Sequence, residues 1–326
     1  MNRKGRVFLI AAIMLCLHGT SGAQQPPVQA SKVSVTRHGP ENGSLIIIGG
    51  AVVTADIWKK FTELAGGVAR ANIVVITTAA GDSAAYRTNS VEEVKRATGV
   101  QQVFLLHTND RNVANSDSFI APLKQATAVF IIGGRQWRLA DSYLNTRTLR
   151  ALSDLLDRGG VIAGTSAGAS IQGSFLWRGD TRGAQILVGD HTKGFGFLKN
   201  SVIDQHLLAR NRQFDLVGFI RKSPELIGIG LDQSTAVLIQ KDTLEVIGAS
   251  YAAIYDYNTI MGKGAGHVTK NDKGADTEDF TASSGPFFFL SAGQRYDLRN
   301  RKLLPDVPGK RPDTRSVVEI SQRKIL

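Results

Sequence analysis

The chain has 326 residues, 42% of them hydrophobic, and a formal net charge of +11. This composition supplies enough apolar side chains for a large folded domain. Its basic residues are scattered, without the Lys/Arg blocks or interleaved aromatic residues of a nucleic-acid groove, so the sequence argues against a nucleic-acid partner. The positive charge instead favours anionic partners, including polyanionic substrates.

The first 23 residues have the pattern of a secretory signal peptide. Arg3, Lys4 and Arg6 precede an apolar run at 7–17, and the small residues Ser21-Gly22-Ala23 follow. The apolar run is about eleven residues long, against the roughly twenty that a membrane span needs. We therefore expect a secreted or periplasmic protein with no membrane anchor after processing, whose formal charge of +11 drops by three, to +8.

The only cysteine, Cys16, lies inside this apolar run. It follows Leu15 and not the small residue expected at a lipoprotein cleavage site, so it should leave with the signal peptide. The mature protein would then have neither disulfide nor thiol chemistry. Catalysis by a cysteine nucleophile is excluded on this interpretation.

The pattern after the signal peptide is that of a linker followed by an α/β domain. Residues 24–43 are polar and rich in Pro, Ser and Gly, which predicts the linker. Short apolar runs then alternate with amphipathic stretches, which predicts a doubly wound, mostly parallel sheet with right-handed crossovers. The predicted strands are 45–48, 73–77, 103–106, 128–132 and 161–163, and the predicted helices are 56–64, 90–97 and 148–157.

Beyond about residue 225 the strand signals follow one another with only turns between them. They lie at 227–231, 235–239, 244–247, 252–255 and 287–290. Such spacing predicts additional antiparallel strands that extend or flank the sheet. We expect one α/β domain over residues 44–305 and a charged C-terminal tail over 306–326.

A G-x-S-x-G motif follows the predicted strand at 161–163. It reads Gly164-Thr-Ser-Ala-Gly168, with Ser166 at its centre. Small residues two positions before and after the serine permit a sharp strand-to-helix turn that exposes the hydroxyl and points backbone N–H groups at an oxyanion. The same spacing also occurs in plain glycine-rich turns. We interpret Ser166 as a candidate nucleophile.

A serine nucleophile needs a histidine base within hydrogen-bond reach. Of six histidines, His206 has the most suggestive neighbours, because Asp204 and Gln205 precede it and Arg210 and Arg212 follow it. A carboxylate, an amide, an imidazole and two guanidinium groups in one short segment favour a functional site. The alternative for the two arginines is an exposed, salt-bridged face.

Three segments together resemble the cyanophycinases, members of the serine peptidase family that also contains the aspartyl dipeptidases. They are Gly164-Thr-Ser-Ala-Gly-Ala169, Ile132-Gly-Gly-Arg-Gln136 and Asp204-Gln-His-x-x-x-Arg-x-Arg212, within a resemblance that covers about 44–300. The resemblance implies a flavodoxin-like fold related to class I glutamine amidotransferases and a Ser–His–acid triad. It implies hydrolysis of cyanophycin, a polyaspartate carrying arginine on its β-carboxyl groups, to β-Asp-Arg dipeptides. No metal or organic cofactor is implied, and a homodimer is one assembly that we consider.

Carried over residue by residue, the resemblance makes Ser166 the nucleophile and His206 the general base. The backbone N–H groups of Ala167 and Gly134 match the oxyanion hole. A permanently charged guanidinium suits the carboxylates of a polyaspartate chain. The positions that match substrate-binding residues are Gln136, Asp204, Gln205, Arg210 and Arg212.

Two positions depart from the family pattern. Gln233 stands where the family has its triad Glu, and Asp215 stands where it has a third arginine. An amide can orient an imidazole but cannot stabilise its charged form. In triads that have lost their acid, kcat falls by up to roughly 10⁴-fold. Asp232 is the neighbouring carboxylate. Adjacent residues of a strand face opposite sides, so it can replace Gln233 only through a bulge or a loop.

The sequence thus leaves three functional hypotheses. The first is an exported serine peptidase acting on cyanophycin or a related isoaspartyl-arginine polymer. The second is a degenerate relative that binds acidic or isoaspartyl peptides without cleaving them. The third is an ordinary α/β-hydrolase with the triad Ser166, Asp232 and His267. A glutamine amidotransferase is excluded, because such enzymes have a cysteine where Ser166 stands.

Overall fold

The computed structural model describes residues 37–85, 89–260, 268–270, 276–278 and 286–305. In chain order the strands are β1 (Ser44–Ile48), β2 (Ile73–Ile76), β3 (Val103–Leu106), β4 (Ala128–Ile131), β5 (Val161–Thr165), β6 (Gly173–Phe175), β7 (Leu198–Gln205), β8 (Ile227–Leu231), β9 (Thr235–Gln240), β10 (Thr243–Gly248), β11 (Ala252–Tyr255), β12 (Val268–Lys270), β13 (Asp276–Glu278), β14 (Phe288–Leu290), β15 (Arg295–Asp297) and β16 (Lys302–Leu304).

The helices lie mostly between the strands of the first half of the chain. They are α1 (Ala55–Leu64), α2 (Asp82–Ala85), α3 (Ser90–Thr98), α4 (Arg111–Ala114), α5 (Asp117–Gln125), α6 (Gln136–Tyr143), α7 (Arg147–Asp157), α8 (Ala167–Ser170), α9 (Val217–Lys222) and α10 (Tyr257–Ile260). A single 3₁₀ turn, Thr78–Ala80, follows β2.

The larger sheet has nine strands in the order β16-β15-β10-β9-β1-β5-β4-β2-β3. Strands β1 to β5 are parallel to their neighbours within that group, and β9 joins them by pairing antiparallel with β1. Because β1, β5, β4 and β2 run side by side, their carboxyl ends meet at one edge. In open α/β sheets this edge is where ligands bind.

A second sheet has five strands in the order β14-β11-β8-β7-β6. Strands β6, β7 and β8 are parallel, and β11 and β14 continue the sheet antiparallel. A separate two-stranded pair joins β12 and β13. The second sheet matters for function because β7 and β8 end beside the carboxyl end of β1.

Successive side chains of β1 point to opposite faces of the large sheet and pack into two different hydrophobic clusters. Leu45 and Ile47 face one side and pack with residues of the second sheet and of α5, α6 and α7. Ile46 and Ile48 face the other side and pack with α1 and α3. All four side chains are fully buried, so β1 is covered on both faces, as expected for a strand of a parallel sheet. A third cluster covers the outer face of the second sheet.

The predicted fold class, α/β with a doubly wound and mostly parallel sheet, is confirmed. Strands β1 to β5 coincide with their predicted positions to within two residues. The later strands differ in part, because β8 is antiparallel to β11 but parallel to β7. The sequence indicates a short strand from Val202, within β7, but β6 and the pairing of these strands in a second sheet were not predicted. Helix α5 was not predicted either, because Pro122 inside the helix masks the helical pattern.

The N-terminal boundary of the packed chain differs slightly from the predicted linker, 24–43. The backbone N–H of His38 donates to Asp242 Oδ1 at 2.8 Å, and that of Gly39 donates to the carbonyl of Lys241 at 2.9 Å. Residues 38 and 39 are thus held against the turn between β9 and β10. Within the described parts of the chain, no helix is long and apolar enough to cross a membrane.

Candidate active site

Ser166 stands at the sharp turn between β5 and α8. Its backbone has φ 53° and ψ −109°, a conformation that non-glycine residues rarely adopt. The turn is held from both sides, because the N–H of Ser166 donates to the carbonyl of Ile48 at 3.0 Å and its carbonyl accepts from Ala169 at 2.9 Å. This is the geometry expected of a nucleophile elbow, where the surrounding fold holds a strained residue in place.

The glycines of the motif are required by space. A Cβ on Gly164 would lie 2.1 Å from the carbonyl oxygen of Gly168. A Cβ on Gly168 would lie 2.2 Å from the carbonyl oxygen of Ile131. Both distances are far shorter than atoms tolerate, so the G-x-S-x-G spacing reflects the close packing of β5, β4 and α8 around the serine.

His206 is the first residue after β7, and its imidazole reaches the serine. The distance from His206 Nε2 to Ser166 Oγ is 2.9 Å, a hydrogen bond between side chains that are 40 positions apart. His206 is buried and also has a positive φ, 54°. The fold thus brings together the two residues that the sequence analysis selected as nucleophile and base.

The carboxyl end of β1 connects both residues. The carbonyl of Ile48 accepts the N–H of Ser166, and the carbonyl of Gly49 accepts the N–H of His206 at 2.8 Å. The carbonyl of Gly50 accepts the N–H of Ser234 at 2.9 Å. Three successive carbonyls therefore hold the three segments that carry the serine, the histidine and Gln233.

Gly50 itself lies against the imidazole ring. Its φ is +116°, and a Cβ there would lie 2.2 Å from His206 Cε1 and 2.6 Å from Nε2. Only glycine leaves room for the ring in its present position. The sequence alone assigns Gly50 no role, since nothing in it shows which side chain packs there.

The amide of Gln233 lies on the other side of the imidazole. Its Nε2 is 3.1 Å from His206 Nδ1. A donated amide N–H fixes Nδ1 as acceptor and puts the ring proton on Nε2, facing the serine. Rotation of the amide presents Oε1, which accepts an Nδ1–H and frees Nε2 to take the serine proton. Gln233 therefore determines the tautomer of His206.

Asp232 does not contact the imidazole. Its Oδ1 accepts the N–H groups of Leu208 and Ala209 at 3.0 and 3.1 Å, and its Oδ2 accepts the hydroxyl of Ser250 at 2.8 Å. These bonds fix the turn that follows His206. The bulge that would bring this carboxylate to the ring is not formed, and Asp232 acts on His206 only through its charge.

The pKa of His206 is lowered from its ordinary value to about 4. Burial is the largest cause, because it penalises the charged ring, and the positive charges of Arg210 and Arg212 add to it. The charge of Asp232 opposes these effects. The imidazole is therefore neutral, and able to accept a proton, throughout the physiological range.

The predicted oxyanion donors lie on both sides of Ser166. Ala167 is the first residue of α8 and is fully buried. Gly133 packs directly on the serine, since a Cβ there would lie 3.2 Å from Ser166 Cβ. Gly134 is next in the chain, exposed, with φ +143°. The backbone of this turn therefore borders the space above the serine hydroxyl.

Asp204 has no exposed surface and is bound by an arginine of its own chain. Arg178 Nε donates to Asp204 Oδ1 at 2.9 Å, and its Nη2 donates to Oδ2 at 2.9 Å. The indole N–H of Trp177 donates to Oδ2 at 3.1 Å. Arg178 also pairs with Asp215, the residue that departs from the family pattern. The sequence analysis missed Arg178 because no motif marks it.

Three further predicted substrate-binding residues are buried and have partners within the protein. Gln136 donates to the carbonyls of Trp177 and Arg178 at 2.8 and 3.0 Å. Arg212 donates to the backbone and side-chain oxygens of Gln205 at 2.9 and 3.1 Å. These side chains brace the wall of the site.

Arg210 differs from these three residues, because it is exposed beside His206. It has no ion-pair partner within the described part of the chain, so its guanidinium is directed to solvent.

The other histidines that the structure describes lie apart from the serine. His107 pairs with Asp82 at 3.1 Å, and His191 lies between Asp190 and Asp141 at 2.8 and 2.7 Å. His267, which the α/β-hydrolase hypothesis requires, lies outside the described residues. The described residues contain no group of three or more His, Cys, Asp or Glu side chains that could hold a metal ion.

Known proteins share the fold and part of the sequence of this chain. A peptidase from an acI-B1 Actinobacterium has a similar fold, with a TM-score of 0.58 and 21% identity over 80% of this chain and 98% of that one. The cyanophycinase of Trichormus variabilis is 28% identical over 291 residues, which are 86% of this chain and 94% of that protein. The cyanophycinase of Geminocystis herdmanii is 30% identical over 267 residues, which are 79% of this chain and 95% of that protein.

The profile of peptidase family S51 matches residues 45–247, a span that includes Ser166, His206 and Gln233. On this match and on the similarity of most of its length to cyanophycinases, the chain belongs to peptidase family S51 and is a serine-type exopeptidase.

Proposed function

We propose that the protein is an exported serine peptidase that hydrolyses cyanophycin, or a related isoaspartyl-arginine polymer, to β-Asp-Arg dipeptides through a covalent acyl-enzyme. The observation that carries this proposal is the 2.9 Å contact between Ser166 Oγ and His206 Nε2 at a strained strand-to-helix turn. The names of the similar proteins supply the substrate, since several of them are cyanophycinases.

The residues present suffice for each chemical step. Ser166 Oγ attacks the scissile carbonyl carbon while its proton passes to His206 Nε2. The oxyanion accepts hydrogen bonds from the N–H groups of Ala167 and Gly134. The C–N bond then breaks as His206 gives its proton to the leaving amine, which leaves an ester on the serine. Water attacks this ester, and His206 takes the water proton and returns it to Ser166.

Gln233 supports this cycle by geometry alone. With Oε1 facing Nδ1 it holds the imidazole in the tautomer that accepts the serine proton, but it adds no charge to stabilise the imidazolium. Exposed Arg210 is the free cation beside the site and attracts the carboxylates of the polymer. The described part of the chain has no other guanidinium so placed next to His206.

The decisive experiment compares the wild type with Ser166→Ala on purified cyanophycin. We expect β-Asp-Arg dipeptides from the wild type and none from the variant, as measured by chromatography and mass spectrometry. Ser153→Ala is the matched control, because Ser153 lies half-buried on α7, where its hydroxyl bonds the carbonyl of Leu149. Dipeptide release by Ser166→Ala at the wild-type rate would exclude the mechanism.

Export is supported by the N-terminal pattern of Arg3, Lys4 and Arg6 followed by the apolar run at 7–17. Expression of the full chain in a bacterial host tests it. We expect the protein outside the cytoplasm with a new N-terminus near residue 24. A cytoplasmic protein that retains Met1 would reject export without affecting the peptidase assignment.

A second candidate function is the binding of isoaspartyl peptides without cleavage. The observation that favours it is the amide of Gln233 where a carboxylate would stabilise the imidazolium. A fluorophosphonate probe distinguishes a peptidase from a binding protein, because it labels only an activated serine. Stoichiometric labelling of Ser166 supports the peptidase, and an unlabelled protein that still binds β-Asp-Arg supports the binding protein.

A further inference from the structure

The proposed substrate carries a guanidinium on every repeat unit, and the enzyme needs a carboxylate to recognise it. Asp204 is closed to this role, because it has no exposed surface and Arg178 occupies both its oxygens. Asp232 is also occupied, by two backbone N–H groups and the Ser250 hydroxyl. Recognition of the substrate arginine must therefore come from other carboxylates near the site.

A cavity of about 270 Å³ lies at the same edge of the large sheet as Ser166. Its wall includes Asp82, after β2, Asn109, after β3, and Trp137, Arg138 and Asp141 of α6, after β4. Its volume lies just below the roughly 300–1,000 Å³ of sites for drug-sized ligands, so it suits a single amino-acid residue. The carboxyl ends of parallel strands are where such folds bind ligands.

The wall of the cavity and the turn that borders the nucleophile pack on the same backbone carbonyl. The carbonyl of Ala79 accepts the N–H of Arg135 at 2.8 Å and the Nη1 of Arg138 at 3.2 Å. Gly134 packs on the same carbonyl, since a Cβ there would lie 2.1 Å from it. One carbonyl therefore joins the predicted oxyanion turn to the guanidinium in the cavity wall.

Two accessible carboxylates in the wall are held in fixed orientations. Asp82 bonds His107 Nε2 at 3.1 Å through one oxygen and accepts the Asn109 amide through the other, and its side chain is 61% exposed, which leaves room for further donors. Asp141 bonds His191 Nε2 at 2.7 Å through one oxygen, and its side chain is 55% exposed. Carboxylates oriented in this way can accept further N–H donors from a ligand.

Arg138 gives the cavity a charge of the opposite sign. Its guanidinium donates to the Ala79 carbonyl and lies 5.2 Å from the centre of the Trp137 ring. It has no carboxylate partner among the described residues. The cavity thus presents two anionic groups, an unpaired cation and an aromatic ring within the space of one residue.

We propose that this cavity binds an arginine residue of the substrate, with Asp82 and Asp141 receiving its guanidinium and Arg138 its α-carboxylate. In a β-aspartyl-arginine unit both groups are free, because the arginine is attached through its α-amine. The inference rests on the proposed function for the substrate, and it adds the residues that determine specificity.

The test measures discrimination between arginine and citrulline, which has the same length but a neutral end group. Short synthetic oligomers of β-aspartyl-arginine and β-aspartyl-citrulline are hydrolysed by the wild type, the double variant Asp82→Asn/Asp141→Asn and Arg138→Gln. For the wild type we expect kcat/KM to favour arginine about tenfold, the range of a partly exposed charge-assisted pair. The double variant should hydrolyse both oligomers at about the rate the wild type shows on citrulline.

Arg138→Gln should lower kcat/KM for both oligomers equally, since both keep the α-carboxylate. It should not change kcat/KM for oligomers with an α-carboxamide. Asp154→Asn and Arg96→Gln are the matched controls, because both residues are exposed and lie outside the cavity. The rate of fluorophosphonate labelling of Ser166 and the melting temperature show whether the variants retain an intact site and fold.

The outcomes separate this inference from the proposed function. A wild type that cleaves both oligomers, with the same preference for arginine in the double variant, overturns the cavity assignment and leaves the peptidase. If the wild type cleaves neither oligomer, the peptidase assignment is excluded. Calorimetric binding of the β-Asp-Arg dipeptide then tests the cavity directly. Binding that the double variant loses supports the cavity, and binding that is absent or unchanged overturns it.

Discussion

The Gln233 amide lies 3.1 Å from His206 Nδ1, on the side of the imidazole opposite to Ser166. The position next to the base thus carries a dipole where a carboxylate would add a negative charge. The hydrogen-bond geometry of a triad is present without its full electrostatics.

Gln233→Glu should increase kcat for the proposed substrate. A carboxylate of the same length would accept the Nδ1–H and stabilise the imidazolium, and the loss of such a charge from a triad costs up to roughly 10⁴-fold. We expect a gain of at least about tenfold, with the rate of fluorophosphonate labelling rising in parallel. Gln233→Leu, which removes both amide atoms, should lower both rates. Equal rates for all three proteins would show that the side chain at 233 does not act on His206.

The pH profile of the wild type should extend unusually far into acid. His206 must be neutral to accept the serine proton, and its pKa is lowered to about 4, by burial first and then by Arg210 and Arg212. Activity should therefore persist at pH 5 and fall only as the pH drops through about 4. Measurement of kcat/KM against pH on a short oligomer checks this.

The same profile gives a second test of Gln233→Glu. The added negative charge raises the pKa of His206, so the acid limb of the variant should move to higher pH, towards the ordinary value near 6.5. The gain from the substitution should accordingly be largest near neutral pH. An acid limb above pH 6 in the wild type would contradict the assigned surroundings of the imidazole.

Gly50→Ala should nearly abolish activity. A Cβ at this position would lie 2.2 Å from His206 Cε1, so the ring must move away from Ser166. A displacement of about 1 Å can lower the rate by about a hundredfold. Gly67→Ala is the matched control, since Gly67 also has a positive φ but no atom lies within 4 Å of its added Cβ. If the two variants lose activity equally, backbone strain and not the clash with the ring is responsible.

Arg178→Met should destabilise the fold. It removes the bidentate partner of Asp204, which has no exposed surface, and leaves that buried carboxylate with Arg212, at 3.5 Å, as its charged partner. Such a change costs about 3–5 kcal/mol of unfolding free energy. Lys59→Met removes an ion pair to Glu63 between side chains that are 79% and 49% exposed, and it should leave the melting temperature almost unchanged. Thermal and urea unfolding measure the stability of each variant. Equal stability of the two variants would contradict this role for Arg178.

The sequence predicts those parts of the molecule that depend on local pattern. Apolar runs located β1 to β5, and the G-x-S-x-G spacing located Ser166, because both are set by residues adjacent in the chain. The pairing of Ser166 with His206 was also predicted, from the resemblance together with the unusual side chains around His206. Asp232 and Gln233 could not be ranked from the sequence, because their relation to the ring depends on the turn between β8 and β9.

The second sheet and the buried network of Arg178 could not be predicted. β7 contains Lys199 and Asn200 at exposed positions and Asp204 at a buried one, so its pattern does not show the apolar run of a buried strand. The burial of Asp204 depends on Arg178, 26 positions earlier. Nothing in the sequence indicates that these two residues are partners. A charge buried with its partner becomes recognisable only when the fold brings the two together.

The carbonyls of Ile48, Gly49 and Gly50 bind the segments of Ser166, His206 and Gln233, which are contributed by both sheets. A partly folded chain, or one still emerging from the ribosome without residues 206–234, therefore lacks a working nucleophile. Hydrolytic activity therefore requires that both sheets are folded and meet at the end of β1. If the protein is exported as proposed, a chain that folds only after export would be inactive in the cytoplasm.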